Sequence, residues 1–484
     1  MVSLPQDSNE SVEVATSKLK KNQKYIAPAL VVFLVSILLA STNFLGYLKI
    51  ILQPTNDPTV CPIAPLIAPQ LFYKDNSTVL QILNDPIFRV NSAKKLSGAV
   101  QIDTTVHDEQ ADFDQENPAW LVFNEFHKYL ETTFPAIFAA AEVSHVNTYG
   151  LVFEWKGYNS DLKPVVFAAH QDVVPVQEGT LSDWTHPPFD GFFDDTFIYG
   201  RGSFDCKNVL IGVLESLELL AKEGFKPQRT VIAAFGFDEE ISGYHGAAEI
   251  SKWLEDKYGK DGIYAIIDEG PGLIPNPLTN QIIGFVGTGE KGYNDMKITL
   301  RTPGGHSSIP PDNTNIGIIS EVVHAIENDP YTPQLTDQNP MMKFFQCIAV
   351  NSDQIPSLQK KAILRASFDK LANSKVLSAV LKDPVTRFLV GTSQAVDVIH
   401  GGEKVNALPE YSEVFINHRV AVESSTEEIK QRLIARINPL AKKYGLGLIA
   451  FDKTIVEETE NGIFDVELFG HSIEPAPVSP FNDH

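Results

Sequence analysis

The longest apolar stretch of the chain lies near its start. From Tyr25 to Leu48 no residue is charged. A helix of that length rises about 36 Å, enough to cross a ~30 Å hydrocarbon layer with some tilt. Lys18, Lys20, Lys21 and Lys24 precede it. The positive-inside rule then predicts a cytosolic tail over 1–24, a transmembrane signal anchor over 25–48 and a body across the membrane. A cleaved signal peptide is the competing reading, but its charged leader is normally shorter than the one found here. Residues 49–100 read as a Pro-containing stem and approach segment.

After about residue 145 the pattern becomes short apolar runs alternating with helical periodicity. Val165–Ala169, Thr230–Phe237 and Ile263–Ile267 read as buried strands, and Asn208–Lys222 and Ile241–Tyr258 as helices. This alternation predicts an α/β fold with a mixed, mostly parallel sheet. Farther on, Tyr293–Arg301, Glu413–Val420 and Leu446–Phe451 read as strands, with helices over Ile316–Glu327 and Thr426–Lys443.

Polar residues follow each of the first three strands. They are His170-Gln171-Asp172, then Asp238-Glu239-Glu240, then Asp268-Glu269, while Asp205 stands just before the first helix. His170, Asp205 and Glu240 are each 35 residues apart, a strand–helix–strand spacing that brings them to the carboxyl edge of the sheet, where open α/β sheets bind ligands. Three adjacent acids repel one another unless solvent or a cation compensates them. One imidazole with several carboxylates suits zinc or a similar divalent ion in an open, catalytic site.

Composition narrows the classes further. Hydrophobic residues make up 43% of 484, enough for a sizeable core, and the formal charge of −22 argues against nucleic acid. Three cysteines, Cys61, Cys206 and Cys347, are too few for a disulfide framework, and all three read as packing residues.

The phrases "FAAHQDVVPV", "WTHPPFDG", "YGRGSFDCKN", "FGFDEEISG" and "IIDEG" resemble, in this order, those of the dinuclear zinc metallopeptidases, the family of carboxypeptidase S and the aminoacylases. The similarity is greatest to the fungal vacuolar carboxypeptidase S branch. It implies a catalytic domain over 101–288, with two zincs per subunit. His170 and Asp268 resemble ligands of one zinc, Asp205 the bridge, and Glu240 a ligand of the second. Asp172 resembles the acid that orients the imidazole, and Glu239 the general base that serves a zinc-bridging hydroxide. Residues 289–455 resemble the family's inserted ferredoxin-like βαββαβ lid, a homodimerisation domain, here enlarged between about 330 and 395.

Within the lid, "TPGGHSSIPP" places His306, and "VNALPEYSEVFINHR" places Asn406 and Arg419, where the family binds the substrate's oxyanion and carboxylate. Asn417 stands where the family has an acid. Residues 456–484 resemble the start of the returning catalytic segment, whose final zinc-ligating His falls beyond His471 and His484. A C-terminally truncated chain with an incomplete second zinc site and impaired activity is the expectation. The implied activity is hydrolysis of the C-terminal bond of short peptides in a vacuolar lumen. Hydrolysis of N-acyl amino acids and an inactive membrane-anchored homologue are the alternatives. Lumenal placement would expose the sequon at Asn76 to glycosylation.

Overall fold

The computed structural model describes residues 28, 30–37, 43–55, 59–62, 68, 70–107, 117–270, 272–275, 282–284, 286–384 and 386–480. The chain forms two units, residues 65–272 and residues 1–64 with 273–484. The tail expected over 1–24, and parts of the anchor expected over 25–48, lie outside the described residues. Among the described residues no helix is long and apolar enough to cross a membrane. Residues 30–37 are helical. Asn43 then takes a left-handed conformation (φ 51°) immediately before helix α1, Phe44–Leu52. A left-handed residue cannot continue a right-handed helix, so Phe44–Leu48, expected as the end of the anchor, belong instead to this separate helix.

In the 65–272 unit, helix α2 (Pro86–Val100) starts at Asp85, whose carboxylate accepts from the Ile87 amide at 2.9 Å, with Pro86 in the first turn. Ala99 and Val100 are fully buried, so the end of the expected stem is a core element. Helix α3 (Val122–Thr133) buries Phe126 and Leu130. The sheet contains β1 (Glu142–Val146), β2 (Gly150–Trp155), β3 (Val165–His170), β4 (Val231–Gly236) and β5 (Ala265–Ile267), with helix α4 (Lys207–Lys222) between β3 and β4 and α5 (Ala247–Tyr258) between β4 and β5. Its order is β1-β2-β4-β3-β5. Strand β3 runs parallel to β4 and β5, while β2 is antiparallel to β1 and β4.

Alternation along β4 explains its continuous apolar run. Ala233 and Phe235 pack with Leu210 and Leu214 of α4, while Ile232 and Ala234 pack with Ile250 and Leu254 of α5. With a helix on each face, neither face can be polar.

The other unit contains the segment expected as the lid. Strand β6 (Gly292–Arg301) leads to the two-residue β7 (Gly305–His306) and helix α6 (Asn315–Glu327). Helices α7 (Pro340–Asn351), α8 (Ser357–Arg365) and α9 (Lys370–Val380) form the enlargement. Then come β8 (Ser393–Gly401), β9 (Ala407–Leu408), β10 (Tyr411–Val420), α10 (Thr426–Tyr444), β11 (Gly447–Ala450), β12 (Lys453–Val456) and β13 (Ile463–Ile473). The six-stranded sheet has the order β8-β10-β6-β13-β11-β12. Strand β6 therefore lies between β10 and β13, and β13 falls within 456–484, where a return to the catalytic domain was expected. Phe464 and Val466 alternate into the lid core beside Ile298 and Leu448, a period-2 signal.

The three-helix enlargement has its own core, in which Ile50 of α1 packs with Met342, Phe345, Ile363 and Val376. A disulfide joins Cys61 to Cys347, correcting the reading of both as simple packing residues. Cys206 is free and buried.

Candidate active site

Strand β3 delivers His170 to the carboxyl edge of the sheet with its ring 3% exposed. The next residue, Gln171, fixes that edge. Its amide donates to the Tyr149 carbonyl (2.8 Å) and the Phe235 carbonyl (3.0 Å), and its side-chain oxygen is 2.8 Å from Nε2 of His127. Asp172 is fully buried. His170 Nδ1 lies 3.0 Å from the Asp172 carbonyl oxygen and 3.3 Å from its Oδ1. Nδ1 is thus turned to Asp172 and Nε2 to the open side. The second oxygen of Asp172 accepts from the Glu240 amide at 2.9 Å. One carboxylate thus orients the imidazole and holds the acidic turn.

Nε2 faces three carboxylates. Asp205 Oδ1 is 3.0 Å away, Glu269 Oε2 3.7 Å and Glu239 Oε2 3.9 Å. Asp205 ends the loop before α4 and is followed by Cys206, whose Sγ accepts from the His170 amide at 3.3 Å. Glu239 and Glu240 lie on a short 3-10 turn, Glu239–Ile241, closed by Ser242 at φ 86°. Asp238, to which the sequence assigned no part, staples this loop by accepting from the amides of His245 (2.7 Å) and Gly246 (2.8 Å). That staple and the left-handed Ser242 delay α5 to Ala247, six residues after the expected start. One potential ligand atom each from His170, Asp205, Cys206 and Glu269 lie within 4.8 Å of one another, as do those from His170, Glu239 and Glu240.

Crowding changes the acidities. Burial, helped by the charges of Asp172, Glu240 and Glu269, pushes Glu239 up to about 7, with His170 acting against it. Burial and the Asp205 charge likewise raise Glu240 and Glu269. Burial alone would lower His170, but its hydrogen bonds to Asp172 and Cys206 hold it well above its ordinary value. Burial pushes the Cys206 thiol up to about 11, and its Sγ is engaged by the His170 amide. The donors left are one imidazole nitrogen and carboxylate oxygens. Acids this close resist joint ionisation unless a cation sits among them, and this set fits a divalent metal in an open site.

The site brings together His170, Asp172, Asp205, Glu239 and Glu240, as the sequence suggested, but Asp268 does not join either group. Its Oδ1 accepts from the Glu269 amide at 2.9 Å, and Glu269 takes the place expected of it. The register of β5 on β3 would aim position 268 to His170's face had the strand continued. The strand stops at Ile267, and the turn that follows presents the next residue. Gly270-Pro271-Gly272 marks a turn in the sequence but does not show which of the two acids it presents.

In the other unit, the β7–β9 ribbon pairs His306 with Ala407, and the Ser307 amide donates to the Asn406 carbonyl at 3.3 Å. His306 and Asn406 are therefore neighbours, both exposed. Arg419 is exposed on β10, its guanidinium 4.8 Å over the Tyr293 ring. Asn417 donates to Asp295 at 2.8 Å. Asn76 is half-buried and directly precedes a short helix, Ser77–Asn84.

Residues 166–458 match Peptidase family M20/M25/M40. Carboxypeptidase S of Saccharomyces cerevisiae is 44% identical over 82% of this chain and 69% of its own. The N-fatty-acyl-amino acid synthase/hydrolase PM20D1 of Mus musculus is 31% identical over 82% of this chain and 71% of its own. Among solved structures, the di-peptidase Dug1p of Saccharomyces cerevisiae covers 84% of this chain and 81% of its own, with a TM-score of 0.53 at 13% identity, a likeness of fold.

Proposed function

Because the chain belongs to peptidase family M20/M25/M40, we propose that it is a metallocarboxypeptidase releasing the C-terminal residue of short peptides. The observation that carries this reading is the convergence of His170 Nε2 with the carboxylates of Asp205, Glu239 and Glu269 at 3.0–3.9 Å. The likeness to carboxypeptidase S supplies the bond class.

His170, Asp205, Glu240 and Glu269 are the residues that would hold zinc, and His170 is the residue common to both groups. Zinc bound there supplies Lewis acidity, polarising a carbonyl and making water nucleophilic. Glu239 is left for proton transfer. Its Oε2 takes a proton from the attacking water and returns it to the leaving amine, and an acidity near neutral suits both directions. Asp172 keeps the imidazole in one orientation and the Glu240 turn in place. His306, Asn406 and Arg419 are donors suited to the substrate's carbonyl oxygen and free carboxylate, Arg419 bidentately.

Hydrolysis of N-acyl amino acids is the second reading, favoured by the 31% identity to PM20D1. The bond broken and the carboxylate left behind are of the same kind. A lumenal, vacuolar location is supported by the Cys61–Cys347 disulfide, which persists in oxidising compartments. The uncharged run 25–48 supports attachment to the membrane, and Asn76 would then carry a glycan. Strand β8 is a sheet edge with Val398 and Ile399 exposed, an edge suited to a second copy in a homodimer.

Initial rates on a panel of dipeptides, blocked dipeptides and N-acyl amino acids test the reading. Faster turnover of N-acyl amino acids than of any peptide would replace the first reading by the second.

A further inference from the structure

The enlargement of the lid is the feature that hydrolysis leaves unexplained. Residues 340–390 hold eight Lys or Arg against three Asp and no Glu, in a chain whose formal charge is −22. Lys370, Lys375, Lys382 and Arg387 are exposed. Helix α1 is fastened to this basic element. Ile50 is 2% exposed in its core. Gly46 approaches Leu371 so closely that an added Cβ would lie 2.6 Å from its Cδ2. Lys361 Nζ donates to the Ile51 carbonyl at 2.6 Å, and Arg365 to Gln53 at 3.1 Å. The Cys61–Cys347 disulfide follows.

Helical geometry then dictates what α1 shows to the outside. At 100° per residue, Gly46 and Ile50 point to one side, and Phe44, Leu45, Leu48, Ile51 and Leu52 share an arc of about 120° on the other. These five are between 40% and 72% exposed. Lys375, 5.4 Å over the Tyr47 ring, flanks this arc, and the exposed Lys382 lies just past the C-terminal end of the same helix. At nine residues, α1 spans only about 13 Å, too short to cross a bilayer but long enough to lie in its interface.

We propose that α1 and the α7–α9 enlargement form a docking surface for an anionic lipid bilayer. The apolar arc enters the headgroup boundary, and the surrounding lysines meet the lipid phosphates and carboxylates. Two observations choose lipid over a second copy of the chain. The chain enters α1 from the uncharged apolar run that begins at Tyr25. A second copy would set one basic surface against another. The proposal does not require that run to cross the membrane.

The test uses the full chain in lipid discs of phosphatidylcholine alone and of phosphatidylcholine with phosphatidylserine. Amide exchange over 44–52 and 370–382 should be slower in the anionic discs by about tenfold or more, the scale that two lysines give at an anionic surface. Lys375→Glu with Lys382→Glu should abolish that difference and leave exchange in detergent unchanged. Leu45→Ser with Leu48→Ser should reduce protection in both kinds of disc. Equal exchange in the two disc types overturns the proposal. So does lipid-independent protection that grows with protein concentration, which would make the partner a second copy.

Discussion

Replacing His418 by Phe should flatten the acid limb of the lid's stability. His418 is fully buried on β10, between Asn294 of β6 and Gln394 of β8, with the Tyr331 ring edge-on at 5.9 Å. Burial, aided by the Arg436 charge and opposed by Asp295, lowers its pKa from 6.5 to about 4. The unfolded chain therefore binds a proton between pH 6.5 and 4 that the folded chain refuses. Stability from this group is complete above pH 6.5, falls as pH drops through that window, and levels off below 4. At ~1.4 kcal/mol per pH unit the loss comes to roughly 3 kcal/mol. Phe keeps a ring against Tyr331 and cannot titrate. The assay is the exchange-derived opening free energy of the β10 amides at pH 7, 6, 5 and 4, in the native protein and in His418→Phe. The native slope should exceed the variant's by about 1 kcal/mol per pH unit within the window. Parallel slopes would refute the reasoning.

Two further outcomes follow from the site and the tether. Glu269→Gln should weaken zinc binding by about 100-fold or more, the scale of losing a charged ligand, whereas Asp268→Asn should change it several-fold at most, read by competition with a chelator. Equal effects would restore Asp268 as the ligand. Cys61→Ser opens a loop with a sequence separation of 286, and should lower lid stability by about 2–4 kcal/mol in urea unfolding without altering the metal content of the other unit.

The sequence revealed the catalytic sheet because β3 and β4 are unbroken apolar runs followed abruptly by acids, whereas the third run, also read as buried, forms the edge strand β5 with Ile266 and Ile267 exposed. His170, Asp205 and Glu240 were legible from that punctuation and their even spacing. Glu269 was not, because which of two adjacent acids turns inward depends on where β5 stops, and strand ends are set by tertiary contacts. Asp238 stood in the same acidic triplet with no part assigned to it. Only the loop amides it binds show that its work is local.

In the lid, β13 was assigned to the wrong unit by resemblance, although Phe464 and Val466 already carried its period. Helix α1 was hidden inside a hydropathy signal that suits a spanning helix equally well. Among the described residues, the left-handed Asn43 and the seat of Ile50 set it apart from the run before it. The Cys61–Cys347 pairing joins residues too far apart in sequence for spacing to suggest it.

The most direct test of the central claim is the rate of C-terminal residue release by Glu239→Gln at full zinc loading, compared with the native protein at equal zinc content. The account predicts a fall of about 100-fold or more, the usual contribution of a positioned acid–base group, with zinc binding retained. Native turnover by the zinc-loaded variant would contradict it, because the cluster would then not use Glu239 to move protons.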